Sequence, residues 1–192
     1  VPGVSRVRGV RTFCHSFEQN DKYSIIDISH NGYVFMDDPI YHRRRVIRLE
    51  GDVYIIDDQV TGLGKAEHDI RLYFNFAPGE LVKTNSNKFV YTTEKNTSFD
   101  IISALNNNAA AVILKGSEDP IGGWVSYGYP IRSAIPQLYF KTNGPAPLRF
   151  ITVIAPSGID CTCSGDIKNA LLKISGKTAY EVAFDGEEIK IN

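Results

Sequence analysis

Residues 66–76 alternate strictly. His68, Ile70, Leu72, Phe74 and Phe76 fall on one side, and Glu67, Asp69, Arg71, Tyr73 and Asn75 on the other. A period of two held over this length requires an extended strand with one buried face, because successive Cβ atoms point to opposite sides. Pro78-Gly79 ends it. The chain just upstream supplies the expected neighbours. Residues 41–50 mix four arginines with Val46, Ile47 and Leu49, and residues 53–60 are dominated by β-branched side chains and Tyr54, which suit a pleated surface. Gly51-Asp52 between them reads as a two-residue type II′ turn. Thr61 to Lys65 reads as a looser one, giving three consecutive antiparallel strands.

Turn geometry sets which side chains meet. With Gly51 and Asp52 as the loop, Leu49 faces Tyr54, Ile47 faces Ile56 and Arg45 faces Asp58. A one-residue slip sets Arg45 opposite Asp57 and exchanges the faces. Either register gives Arg45 a carboxylate across the ladder. The arginine row therefore reads first as charge matching along a sheet, with ligand binding as the alternative.

The remaining segments are also strand-like. VPGVSRVRGVRTF at the N-terminus alternates valine with arginine and predicts an edge strand. KYSIIDISH and YVFMDDP flank Asn31-Gly32, a strong short-range hairpin signal. Strands are expected over 88–93, 99–105 and 110–114, separated by Asn-rich turns. Residues 166–174, DIKNALLKI, read as a helix or as a strand. The tail reads as a hairpin about Asp185-Gly186. With no fixed-period repeat and no linker, one domain over residues 1–192 is expected. Strand after strand with turn signals every ~8–12 residues predicts an all-β, antiparallel β-sandwich. At 43% hydrophobic, the composition supplies a core for it.

Charge narrows the function classes. There are 21 basic and 22 acidic residues, net −1, which lacks the basic excess of a nucleic-acid binder. No apolar run reaches the ~18 residues of a membrane helix. The sequence starts at Val1 without a methionine or signal segment, the pattern of a fragment or processed form. Cys14, Cys161 and Cys163 are odd in number. The latter two project to one face of a strand, where a bridge would be strained. They have no histidine within metal-ligand spacing, so all three read as free thiols and no metal site is expected in this chain. Asn96-Thr97-Ser98 fits the N-glycosylation pattern, but a match this short carries no weight.

Among single residues, His68 is in phase with the buried face of its strand. It reads as an interior histidine bonded to Asp57 or Asp58 on the neighbouring strand. His42 and Arg44 share a face opposite Arg43 and Arg45. They are candidates for a carboxylated ligand, which the guanidinium fork matches bidentately. Arg71, Tyr73 and Asn75 form a polar and aromatic platform. Trp124, in GGW with Tyr127 and Tyr129 nearby, is either a sugar-stacking ring or a packing residue beneath a glycine turn. His15 reads as a surface histidine and His30 as a turn residue.

Two blocks also carry a family resemblance. His42-Arg43-Arg44-Arg45-Val46, the segment from Asp57 to Gly64 and Tyr73-Phe74-Asn75-Phe76-Ala77-Pro78-Gly79 form the first. GGWVSYGYPIRSAIPQLYF and PLRFITVIAP form the second. Over residues 23–156 the chain resembles the C-terminal β-sandwich region of the heparinase II/III-like polysaccharide lyases. The resemblance implies a supersandwich that packs, in full-length members, against a helical toroid. It also implies an acidic polysaccharide partner and β-elimination of uronic-acid polymers by the longer protein, in the periplasm or outside the cell. Base and acid come from the toroid, with a histidine from a His-rich motif and a divalent metal near the start of a complete sandwich. This chain contains no His-x-His, so no cofactor is expected in it. Asn75 stands where the family often has histidine. Three readings follow: a lyase sandwich inactive alone, a non-catalytic carbohydrate-binding module, or a structural domain.

Overall fold

A strand apolar on both sides has to be covered on both sides. Leu148–Pro156, LRFITVIAP, is such a strand. The computed structural model, which describes residues 9–192, places it in the middle layer of an all-β sandwich. That layer is an eight-stranded sheet in the order β1 (Thr12–Gln19), β2 (Tyr23–His30), β3 (Ile40–Leu49), β4 (Val53–Gly62), β15 (Leu148–Pro156), β8 (Ser98–Leu105), β7 (Lys88–Thr93) and β6 (Gly79–Lys83). A three-stranded sheet, β5 (His68–Asn75), β14 (Pro136–Gly144) and β9 (Ala110–Lys115), covers part of one face. A four-stranded sheet, β16 (Asp160–Gly165), β17 (Asn169–Ser175), β18 (Tyr180–Asp185) and β19 (Glu188–Ile191), covers the other. Two short hairpins, β10 (Ser117–Glu118) with β11 (Ile121–Gly122) and β12 (Trp124–Gly128) with β13 (Ile131–Ala134), separate β9 from β14 in the chain.

Strand parity divides the core in two. Ile151, Val153 and Ala155 of β15 pack with Ile47, Ile55, Leu172 and Phe184 beneath the four-stranded sheet. Phe150 packs with Phe89, Phe140, Leu138 and Phe74 beneath the three-stranded sheet. Ile101 and Ile102 of β8 split in the same way. Each such side chain contributes about 1.5–3 kcal/mol on burial.

Several local expectations are met. β7 spans the expected residues, β8 and β9 lie within a residue of them, and the tail forms its hairpin after Asp185. Others are corrected. β5 is not the third strand of a meander. It leaves the large sheet and pairs with β14, Tyr73 opposite Tyr139, because Leu72 and Phe74 are buried only on the far side of the second core. The 51–52 turn is not type II′, since φ is positive at both Gly51 (76°) and Asp52 (60°) and type II′ has a positive φ only at the first. Leu49 pairs with Val53, so the slipped register holds and Arg45 faces Asp57.

Asn31-Gly32 does not make a hairpin either. Residues 33–39 form a loop, and β2 pairs with β3 instead, His30 opposite His42. The β2 ladder offers Asp27 to Arg43 of β3, while Asp38 of the loop is taken up by Ala66 and His68. Residues 166–174 are not helical. Asp166 accepts hydrogen bonds from the backbone N–H groups of Lys168 (2.7 Å) and Asn169 (2.8 Å), forming a turn. Ala170, Leu172 and Ile174 then alternate into the core as β17. The N-terminal edge strand is β1, starting at Thr12. The Val/Arg alternation over residues 1–8 lies outside the described residues.

Candidate functional site

The parity of β3 splits its basic residues between the two faces of the middle sheet. Arg43 and Arg45 turn toward the four-stranded sheet. Arg43 holds Asp27 through Nε (2.8 Å) and Nη2 (2.5 Å). Arg45 donates to Asp57 Oδ2 from Nε (2.8 Å) and Nη2 (2.6 Å), and Gln59 adds a bond to the same oxygen. The charge-matching reading holds for this set. Arg45 and Asp57 are sealed from water, while Arg43 is partly exposed and also pairs with Glu187.

His42 and Arg44 turn the other way and share one buried carboxylate, Asp58. Arg44 donates from Nε to Oδ1 at 2.7 Å and from Nη2 to Oδ2 at 3.1 Å. His42 Nε2 lies 2.6 Å from Oδ1, and His42 Nδ1 lies 3.1 Å from His30 Nε2. The backbone N–H of Gly32 donates to His30 Nδ1 at 3.1 Å. These contacts fix the proton order. His30 Nδ1 accepts, so its proton is on Nε2 and is donated to His42 Nδ1. The proton on His42 Nε2 is donated to Asp58. Both rings are neutral in this arrangement. Burial, then the proximity of His42 and Arg44, holds His30 below the ordinary imidazole pKa.

This network borders a cleft of about 420 Å³ between the 31–39 loop, the β3–β4 ladder and the start of β5. Tyr33, Met36, His42, Asp58, His68 and Tyr73 are among the residues lining it. His68 is buried as expected, but its partner is neither Asp57 nor Asp58. Its Nε2 lies 3.4 Å from Asp38 Oδ2. The crossing from β4 to β5 carries it away from those two carboxylates, toward the loop where Asp38 also accepts the backbone N–H of Ala66 (2.8 Å).

The sequence candidates therefore fall in three places. His42 and Arg44 stand together. Arg71, Tyr73 and Asn75 lie on the outward face of β5, all exposed. Trp124 belongs to neither group. Its Nε1 donates to Ser117 O, Arg132 covers its ring with Cζ 4.1 Å from the centroid, and a side chain at Gly116 would press against it. It is a packing tryptophan at the root of the hairpins. Sequence reading preferred a turn role to a site role for His30 and missed Asp58 as a site residue. The signal for Asp58 was the slipped β3–β4 register, which sets it opposite Arg44, whereas His30 comes opposite His42 only through the β2–β3 ladder. It also missed Gln137, Tyr139 and Lys141, which the β14 ladder brings opposite Asn75, Tyr73 and Arg71.

A family model described as heparinase II/III-like, C-terminal, matches residues 4–154. The chain belongs to this family. The heparan sulfate lyase HepC from Pedobacter heparinus shares the fold with a TM-score of 0.71 at 14% identity, over 93% of this chain and 29% of that one. A heparinase III structure gives 0.68 at 19% identity, over 91% and 27%. The chain thus spans under a third of the length of those lyases. No curated protein matches the sequence. The four-stranded sheet lies beyond the family match.

The metal implied for complete heparinase II/III-like proteins does not fit the residues described here. Among them no three His, Cys, Asp or Glu side chains converge on a metal position. His42 has both ring nitrogens engaged, by His30 and by Asp58. His30 is likewise held at both, by Gly32 and by His42.

Proposed function

We propose that this chain is the C-terminal β-sandwich of a polysaccharide lyase that cleaves uronic-acid polymers by β-elimination, walling the substrate cleft and inactive without the rest of the enzyme. Asp58 carries the reading. One buried carboxylate at the cleft fixes His42, which lines it, and Arg44 beside it, and Arg44 Nη1 makes no hydrogen bond among the described residues. β-Elimination needs a neutraliser for the sugar carboxylate, a base for the C5 proton and an acid for the leaving oxygen. Arg44 suits the first role, since an oriented guanidinium pairs with a carboxylate. His42 has no free nitrogen to serve as base. Base and acid are therefore assigned to a helical toroid in the longer protein, and the substrate class is an acidic polysaccharide met in the periplasm or outside the cell.

The test follows unsaturated uronate by ultraviolet absorbance on heparan sulfate, chondroitin sulfate and alginate, comparing the 192-residue chain with the longer protein. Product from the longer protein alone, sharply reduced by Arg44→Ala, is the expected result. Turnover by the 192-residue chain overturns the reading. So does a longer protein that binds a polymer without cleaving any, which makes this a carbohydrate-binding module.

A further inference from the structure

Away from the Asp58 network, the outward face of the β5–β14 ladder is arranged as three crosswise pairs. Asn75 lies opposite Gln137, Tyr73 opposite Tyr139, and Arg71 opposite Lys141. The amides are joined, Gln137 Nε2 donating to Asn75 Oδ1 at 2.6 Å. The tyrosine rings lie 5.0 Å apart and tilted by 37°, with Tyr139 buried and Tyr73 45% exposed above it. Arg71 and Lys141 share one carboxylate, Asp69, at 2.8 Å and 3.6 Å. Two cations thus meet one anion here, while Glu67, next along the same face, is held by the Asn143 amide at 2.7 Å.

The surroundings of Tyr73 single it out. β5 ends its sheet, so one of its edges is unpaired. The Asp58 cleft lies along residues 69–73 and a second hollow, also about 420 Å³, along residues 73–76. Phe76, Tyr91 and Phe99 line that second hollow, and Tyr73 is shared by both. Along one strand face, alternate side chains are spaced about 6.5–7 Å apart. The strip from Asn75 to Arg71 is therefore long enough for a short oligosaccharide.

We infer that this strip is a non-catalytic binding platform for an anionic oligosaccharide. A pyranose ring stacks on the exposed Tyr73. Its hydroxyls bond the Asn75–Gln137 amide pair, and its carboxylate or sulfate meets Lys141 and Arg71. The chemistry favours a sugar over a protein. Tyrosine offers an apolar face with a polar tip, the amides both donate and accept, and Lys141 and Asp69 are of the types that protein-interface cores are depleted of. The inference takes its ligand class from the lyase reading above, and its strip adjoins that cleft at Arg71 and Tyr73.

The 192-residue chain is titrated calorimetrically with a heparan sulfate octasaccharide at two salt concentrations, with a neutral cello-oligosaccharide as control. Tyr73→Ala is expected to weaken binding about tenfold, while Tyr73→Phe binds normally. Lys141→Gln should flatten the salt dependence, and Lys173→Ala, on the exposed side of the four-stranded sheet, should change nothing. Circular dichroism melts confirm that each variant folds. Binding that survives Tyr73→Ala and Lys141→Gln overturns the platform. If that binding is lost instead in Arg44→Ala, the cleft reading stands while the platform falls. Failure to bind the octasaccharide, or self-association of the chain that Tyr73→Ala abolishes, also overturns it, the latter making the strip a protein interface.

Discussion

Arg149 donates from Nε to Asp57 Oδ1 at 2.7 Å across 92 residues of sequence, and both side chains are sealed from solvent. Arg45 grips the same carboxylate, and both guanidiniums rest over Phe184, Cζ 4.7 Å and 5.3 Å from the ring centroid. Their remaining donors leave the middle sheet. Arg45 Nη1 donates to Glu187 O at 3.0 Å and Arg149 Nη1 to Ile167 O at 3.1 Å. A charge cluster on one sheet thus bonds two of the three turns of the four-stranded sheet above it. That sheet is held to the family-matched region by hydrogen bonds as well as by its apolar face.

Removing the shared carboxylate should be severe. Asp57→Asn leaves two buried guanidiniums without their counter-charge, and breaking a buried pair costs about 3–5 kcal/mol. For a chain of this size that is a Tm fall of roughly 10 °C, read by differential scanning calorimetry. A change within a degree or two would show that the cluster contributes little.

Stability should depend on His30 as pH falls. Its folded pKa lies below the ordinary 6.5, from burial first and then from His42 and Arg44. The unfolded chain therefore binds a proton before the folded one does. The contribution is complete above the unfolded pKa and is lost as pH drops through and below 6.5 toward the folded value. A titration by heteronuclear NMR should show the His30 ring more than half neutral at pH 6.5, and His30→Gln should flatten the stability slope as pH falls below 6.5.

Asp58→Ala should release two side chains at once. Hydrogen bonds to charged groups contribute about 1.5–3 kcal/mol, and urea denaturation should register a loss of that order. Relaxation of the Arg44 Nε–H should show a restrained group become mobile. An unchanged order parameter would mean that Asp58 does not orient the cleft.

The cysteines should separate by reactivity. Burial, with Cys163 adding to it, pushes the Cys161 thiol up to about 12, and burial raises Cys163 against the opposing charge of Arg149. Both pack against the first core, while Cys14 is exposed. Since the thiolate is the reactive form, iodoacetamide at neutral pH should label Cys14 alone in the native protein, and all three only after unfolding. Mass spectrometry of the peptides decides it.

Much of this architecture was legible in residue order. The alternation in residues 68–75, the run at Leu148–Pro156 and the tail turn are local patterns, since a strand's side chains change sides with every residue whatever it pairs with. The His42–Arg44 pairing on one face followed from the same rule. The partners did not. Asn31-Gly32 is a good turn sequence, yet the ten-residue β3 ladder, with arginines opposite Asp27, Asp57 and Asp58, holds β2 instead.

What the chain's order determined by itself was that most of its segments are extended, which face residues 68–75 bury and the family resemblance, but not that residues 33–39 form a loop. Only the tertiary structure decided that β5 crosses to the other sheet, that Asp58 rather than Asp57 serves the cleft, and that Tyr73 meets Tyr139. Those outcomes depend on contacts between segments dozens of residues apart. A one-residue change of register moves every side chain to the opposite face, so they are settled by packing and charge pairing in three dimensions.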